Sequence, residues 1–171
     1  MRRVTSITLI SLFLIFSGRI NAQELKFGHA NIQEIMRAMP EFKEMQETME
    51  AEYDKLENQL ATMQEEYQKM EQDYLQNAET LGALERQQKE QQLMETSRKI
   101  QTFYQSSQEN LSQKQQQLRQ PIMEKLRDAI DEIGEEGGFI YIFAENSGAT
   151  VYQSDQSIDV TEQVKNKLGI N

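Results

Sequence analysis

The sequence predicts an α+β fold in which a small body containing a β-sheet carries a long antiparallel helical hairpin. Three observations lead there. Runs with strand character lie only toward the two ends, at LKFGHA (Leu25 to Ala30) and FIYIFA (Phe139 to Ala144). The long stretch between them is polar and repeats its apolar residues at alternating spacings of three and four. The only two prolines, Pro40 and Pro121, stand almost equidistant from Gly82, as the two roots of a hairpin stand from its turn.

Residues 1–22 read as a cleavable secretory signal. Arg2 and Arg3 precede the apolar run VTSITLISLFLIFSG, and INA leads to Gln23. Ser and Thr interrupt the run, which falls short of the ~20 mostly apolar residues that span a bilayer. The mature chain is therefore expected to begin near Gln23, outside the cytoplasm. Removing the signal's three arginines from 18 basic residues leaves 15 against 28 acidic ones, a net charge of −13. Such a surface repels nucleic acid and anionic headgroups. The absence of cysteine excludes disulfides, thiolate catalysis, a cysteine zinc site and a lipidated N-terminal cysteine.

In the opening segment Leu25, Phe27 and His29 alternate with Lys26, Gly28 and Ala30, which gives a strand one mostly apolar face. Asn31 is placed to cap a short helix, with Glu34 returning toward its backbone as a capping-box variant. Ile32, Ile35, Met36 and Met39 form the buried stripe. Pro40 ends this helix and suits the first turn of the next.

From there the outgoing arm carries Met49, Tyr53, Leu56, Leu60, Met63, Tyr67, Met70 and Tyr74 as a coiled-coil seam, with Phe42 and Met45 continuing it backwards out of phase. The hairpin is expected over 41–120, with its tip near 80–82 and arms of ~55 to 60 Å at 1.5 Å per residue. Residues 41–79 hold 12 acids and 3 bases, and residues 80–120 hold 4 acids and 6 bases. Arms of −9 and +2 favour pairing with each other over pairing like with like. The return seam, Ser97, Ile100, Tyr104, Ser107, Leu111, Lys114 and Leu118, is poorer, so the hairpin is expected to bend.

After Pro121, PIMEKLRDAIDEI predicts a further helix with Ile122, Leu126, Ala129, Ile130 and Ile133 inward, stopped by Gly134, Gly137 and Gly138. FIYIFA, the turn ENSGA and TVYQS then read as a β-hairpin. DVTEQVKNKLG closes the chain as a short helix capped by Asp159 or Thr161. The body thus comprises 23–40 and 121–171. Three short strands leave open edges and a marginal core, which predicts that several chains close one sheet together through Leu25, Phe27, Ile32, Ile35, Phe139, Ile140, Ile142 and Val151.

Enzyme readings find no support. The single histidine, His29, lies on a strand face, where a buried or interface role is expected. Glu41, Glu44 and Glu47 share a helical stripe that reads as a solvated face, and no ligand loop, phosphate-cradling glycines or nucleophile elbow occurs. No catalytic residue, cofactor or metal is expected. Met63, Tyr67, Met70 and Tyr74 fill the seam, although Met and Tyr also suit surfaces that accept varied partners. Leu75, Met94 and Phe103 lie off the seam and are candidates for contact with a client.

LKFGHANIQEIMRAMPE, the polar hairpin, and FIYIFAENSGATVYQSDQSIDVTEQVKNKLG together resemble the Skp (OmpH-like) family of periplasmic chaperones over nearly all of Leu25 to Gly169. The resemblance implies a jellyfish-like homotrimer, with a small β-barrel body shared between subunits and three hairpin tentacles around a cavity. It further implies an ATP-independent holdase that keeps unfolded outer-membrane β-barrel proteins soluble in the periplasm. The best-known members are basic and some are credited with a lipopolysaccharide site. This chain departs in charge, so no residue is assigned to lipopolysaccharide, membrane or nucleic acid. The alternative is a structural or tethering coiled-coil protein of the envelope without clients.

Overall fold

A computed structural model describes residues 25–145 and 147–170. The expected signal, residues 1–22, lies outside the described residues. The elements run β1 (Lys26–Ala30), α1 (Ile32–Ala38), α2 (Pro40–Asn77), α3 (Ala83–Gly137), β2 (Phe139–Ala144), β3 (Ile158–Asp159) and α4 (Thr161–Leu168).

Local chemistry sets the first boundaries. The Asn31 side chain accepts from Glu34 N at 3.0 Å and caps α1. Only this half of the expected capping box forms, because the Asn31 N–H is taken by Thr161 Oγ1 at 2.9 Å and Glu34 reaches Lys165 instead. Met39 is extended (φ −70, ψ 127), as a residue before proline prefers, and Pro40 opens α2.

The two long helices run antiparallel. Glu41 meets Lys125, Met70 Sδ lies 3.8 Å from Thr96 Oγ1, Asp73 meets Lys89, and Tyr74 meets Glu90. From the root pair to the pairs near the turn, partners descend along α3 while they ascend along α2. Ala78 to Gly82 form the turn, and Glu85 Oε2 accepts from Gly82 N at 3.1 Å to start α3. The helix expected to begin anew at Pro121 does not. Instead α3 runs 55 residues through Pro121 and through Gly134, ending only where Gly138 takes up a φ of +67. Proline costs the helix one hydrogen bond, to the Gln117 carbonyl. Burial of Ile122 and Leu126, 3% and 1% exposed, on the next turns offsets that loss.

The sheet is parallel throughout, in the order β2-β1-β3. This corrects the expected β-hairpin: Thr150–Ser154 forms no strand, and β3 is Ile158–Asp159. A chain leaving β2 at Ala144 must return to the opposite end of the sheet before it can run parallel to β1, and no strand is formed over the described residues 147–157. Gly28 and Ala30 face the helices. A Cβ on Gly28 would lie 3.1 Å from the Phe139 ring, and one on Gly137 only 2.4 Å, so the ring occupies space that both glycines leave open.

Among the described residues eleven apolar side chains form the buried core, including Ala30, Ile35, Met39, Ile122, Leu126, Val160 and Val164, drawn from both ends of the chain. The N-cap of α4 is Val160 rather than the expected Asp159 or Thr161, and Asp159, one residue earlier, accepts from Thr161 N through Oδ1 at 2.9 Å; the helix ends at Gly169 with φ +71. Lys165 bridges Glu34 and Glu162, and Lys167 bridges Glu132 and Glu136, tying α4 to α1 and α3. The paired glutamates push the Lys167 ammonium up to about 12.

Leu126→Ala is expected to destabilise the body by about 2–5 kcal/mol. Pro121→Ala restores the missing N–H in an existing helix and is expected to stabilise it by about 1–3 kcal/mol. Urea unfolding followed by circular dichroism measures both, and opposite signs are the expected outcome.

Candidate functional site

The first candidate surface is the hairpin. Met63, Tyr67, Met70 and Tyr74 are half-buried along the seam between the arms. The Tyr74 hydroxyl donates to Glu90, and this bond to a carboxylate holds the phenol above its ordinary pKa. Leu75 and Met94 point to solvent, 67% and 61% exposed. Four placements differ from the periodicity reading, among them Lys114, expected in the return seam and exposed. Phe103 is half-buried in the seam, and Tyr104, expected there, is 53% exposed. Both choices fit a three-four repeat, and the apolar ring takes the inward place while the phenol keeps its hydroxyl in water. Tyr53 is likewise turned out, and the half-buried Glu52 stands between Met49 and Leu56.

Charge fixes the arms at both ends. Lys89 near the turn hydrogen-bonds Asp73 and holds its carboxyl below the ordinary range. At the root, Lys125 does the same for Glu41. These pairs are exposed and individually weak, but they set the register.

The second candidate surface is the outer face of the sheet, opposite the helices. Phe27, Tyr141 and Phe143 form an aromatic row, with centroids 6.4 Å apart for the first pair and 5.7 Å for the second. Tyr141 is 60% exposed. Beside the row lies a hollow of about 700 Å³ lined by Leu25, Phe27, His29, Phe143, Tyr152 and Ile158. His29 is held there on both nitrogens, with Nδ1 2.9 Å from Ser157 Oγ and Nε2 3.0 Å from Gln153 Nε2. The Gln153 amide donates, so Nε2 accepts and Nδ1–H donates to the serine. That pairing locks the ring in place.

Of the residues expected to join subunits, Leu25, Phe27, Ile140 and Val151 are exposed. Phe139 and Ile142 pack against the chain's own core, Ile32 lies at its edge, and Ile35 is fully buried in it. Sequence reasoning missed Tyr141, Phe143 and Tyr152. A register shift between Lys26 and Phe27 pairs Lys26 with Phe139 but Phe27 with Tyr141, so Ile140 is an extra residue and the outward set becomes Tyr141 and Phe143. Their alternation with Ile142 and Ala144 was the available signal. No cluster of three metal-ligating side chains occurs among the described residues, and no helix among them is long and apolar enough to cross a membrane.

This geometry defines a class: a small parallel sheet bearing a long helical hairpin, with apolar side chains left uncovered on both parts. The family model described as Outer membrane protein (OmpH-like) matches residues 26–168, and the chain belongs to that family, the Skp (OmpH-like) family. Among curated relatives, the Chaperone protein Skp of Yersinia enterocolitica is 24% identical over 156 residues, covering 91% of this chain and 95% of the relative. The Chaperone protein Skp of Pectobacterium atrosepticum is 23% identical over 157 residues, covering 91% and 94%.

The arm pairs carry a pH dependence whose sign follows from the lowered carboxyls. A carboxyl with a depressed folded pKa contributes stability above its unfolded value of about 4 and loses it as pH falls through the folded value. Spin-label distances across the turn, next to Asp73 and Lys89, are therefore expected to stay constant from neutral pH down to about 5 and to widen below about 4. The Asp73→Asn variant is expected to show the wider distribution already at neutral pH.

Proposed function

We propose that the protein is an ATP-independent holdase chaperone of the periplasm that binds unfolded outer-membrane β-barrel proteins between its helical arms. The observation that carries this reading is the uncovered apolar surface along the hairpin, where Leu75, Met94 and Tyr104 project from an otherwise polar, acidic structure. Scattered contacts of this kind are individually weak and act together on a long flexible client. Membership of the family and the name chaperone borne by its relatives support the same conclusion. No cofactor enters the reading, because holding requires no chemical step.

The same reading includes self-assembly. A sheet covered by helices on one face only, with an aromatic row on the other, needs a partner for that second face. We assign that partner to further copies of the chain, three of which close their sheets into one barrel with the hairpins as coiled-coil tentacles around a cavity. We further assign the exposed segment Val151–Gln153, which forms no strand within its own chain, to the open edge of β2 in a neighbouring copy.

Sedimentation tests the assembly: Phe27→Asp and Tyr141→Asp are expected to give monomers with intact helicity, since neither side chain belongs to the chain's own core. A trimer that tolerates both charges would refute the shared sheet. Dilution of a urea-unfolded outer-membrane barrel without ATP tests the holding. The mature protein is expected to suppress light scattering, and deletion of Ala51–Gln115 with a short Gly/Ser bridge to abolish suppression. If the full protein never suppresses scattering, a structural or tethering role replaces the chaperone reading.

Charge adds a further expectation. An arm of −9 in an expected mature chain of −13 repels an acidic client at long range, and 0.15 M salt screens beyond ~8 Å. Stopped-flow association is therefore expected to quicken or stay level as salt rises. Leu75→Ser with Met94→Ser is expected to weaken holding at every ionic strength. A steep fall in on-rate with salt would show that attraction between charges drives capture.

A further inference from the structure

We propose that the hollow at the root of the arms binds the carboxyl terminus of a polypeptide that ends in an apolar residue. The hollow, of about 610 Å³, lies where α1 meets the first turns of α2 and the return of α3. Its floor is formed by Met36 and Met45, which are 9% and 7% exposed, with Phe42 and Met49 half-buried beside them. Thioethers and one ring make a soft apolar floor that adapts to side chains of different shape. Arg37 and Arg119 stand on the rim.

The arginines make the floor more than a gap between helices. Like the other arginines among the described residues, Arg37 and Arg119 form no ion pair with an acid there, but these two share one hollow, so both guanidinium groups are open to the same ligand. Arg37 is not needed to cap α1 either, because the Met39 N–H already reaches the Ile35 and Met36 carbonyls at 3.2 and 3.1 Å. Two guanidinium groups beside an apolar floor complement a ligand with a carboxylate and an apolar chain next to it. A fatty acid has both, but the hollow is also lined by the amides of Gln33, Gln46 and Gln115. Each amide offers a donor and an acceptor to a peptide backbone, and a fatty acid tail would leave them unmatched. The occupant that uses every group is the end of a polypeptide chain. This rests on the reading that unfolded polypeptides are the protein's partners, and it adds that one end of the client is held at a fixed place.

Fluorescence anisotropy on the full mature protein tests the site, with a short labelled peptide ending in leucine, its C-terminal amide, and decanoate as competitor. The free acid is expected to bind about tenfold or more tightly than the amide. Arg37→Ala and Arg119→Ala are each expected to weaken the free acid about tenfold and to leave the amide unchanged. Both side chains are exposed, and an unchanged urea transition confirms that the fold survives. Equal binding of acid and amide, no effect of either arginine, or displacement of the peptide by decanoate at comparable affinity would overturn the proposal. Scattering assays keep the two readings apart. Suppressed aggregation without peptide binding sinks this site alone, and peptide binding without suppression sinks the holdase reading alone.

Discussion

The structure depends on the pairing of β1 with two strands that follow it at the far end of the chain. β1 contributes only Gly28 and Ala30 to the helical side, and their small size lets helices and the Phe139 ring lie close to the backbone. Closing so long a connection is unfavourable in entropy, although the cost grows slowly with length. What offsets it is a core whose members come from residues 30–45, 122–133 and 160–164, so no one segment can bury its apolar side without the other two. The central strand, its glycine and the ring that fills the space above it are therefore conditions for everything else, including a hairpin whose two roots must meet at one place.

The continuity of α3 follows from the same closure and decides how the arms can move. One helix carries Phe103 and Leu111 in the arm, and Leu126 and Ile133 in the core. A hinge at Pro121 would separate the arm from the body, but Ile122 immediately after it is anchored in the core, so the return arm is fixed at its root. Bending is left to the seam itself. Its weakest point is Ser106 and Ser107: Ser107 is 8% exposed and its hydroxyl has no hydrogen-bond partner among the described residues, so the contact there gains neither apolar area nor a hydrogen bond within the hairpin.

Local rules made much of this legible. Asn31 as a cap, Pro40 at the start of a helix, Gly138 and Gly169 at helix ends, and the inward stripe from Ile122 to Ile133 each follow from one residue type in one backbone setting. The long helices and the small sheet follow from periodicity. Errors arose where two local solutions were nearly equal in energy and a distant partner chose between them. Phe103 and Tyr104 fit the same repeat, and only the facing arm selects the ring without a hydroxyl. Thr150 to Ser154 alternates like a strand, yet within one chain β1 is already paired on both sides. Pro121 looked like a boundary because its helix penalty is visible in sequence and the burial that offsets it is not. The rim arginines of the root hollow carried no local signal, since Arg37 and Arg119 become neighbours of one hollow only when the hairpin returns.

The acidic character of the chain and its uncovered apolar residues act together. In the proposed assembly, long-range repulsion between acidic copies opposes collapse of the arms onto one another, which Leu75, Met94 and Tyr104 would otherwise favour. Repulsion of this kind falls off within a Debye length, while apolar contact acts only on touching. Under the holdase proposal, a client that reaches the arms is then retained by short-range contacts, each weak enough to break without an energy source. On the proposed reading, release needs only a competing surface that buries the same apolar groups more completely, as a membrane does for a barrel protein. A holdase built on stronger, localised charge attraction would need that attraction to be undone. In the proposed holdase the net charge already favours separation, so the holding strength would be set by how much apolar surface the client still exposes.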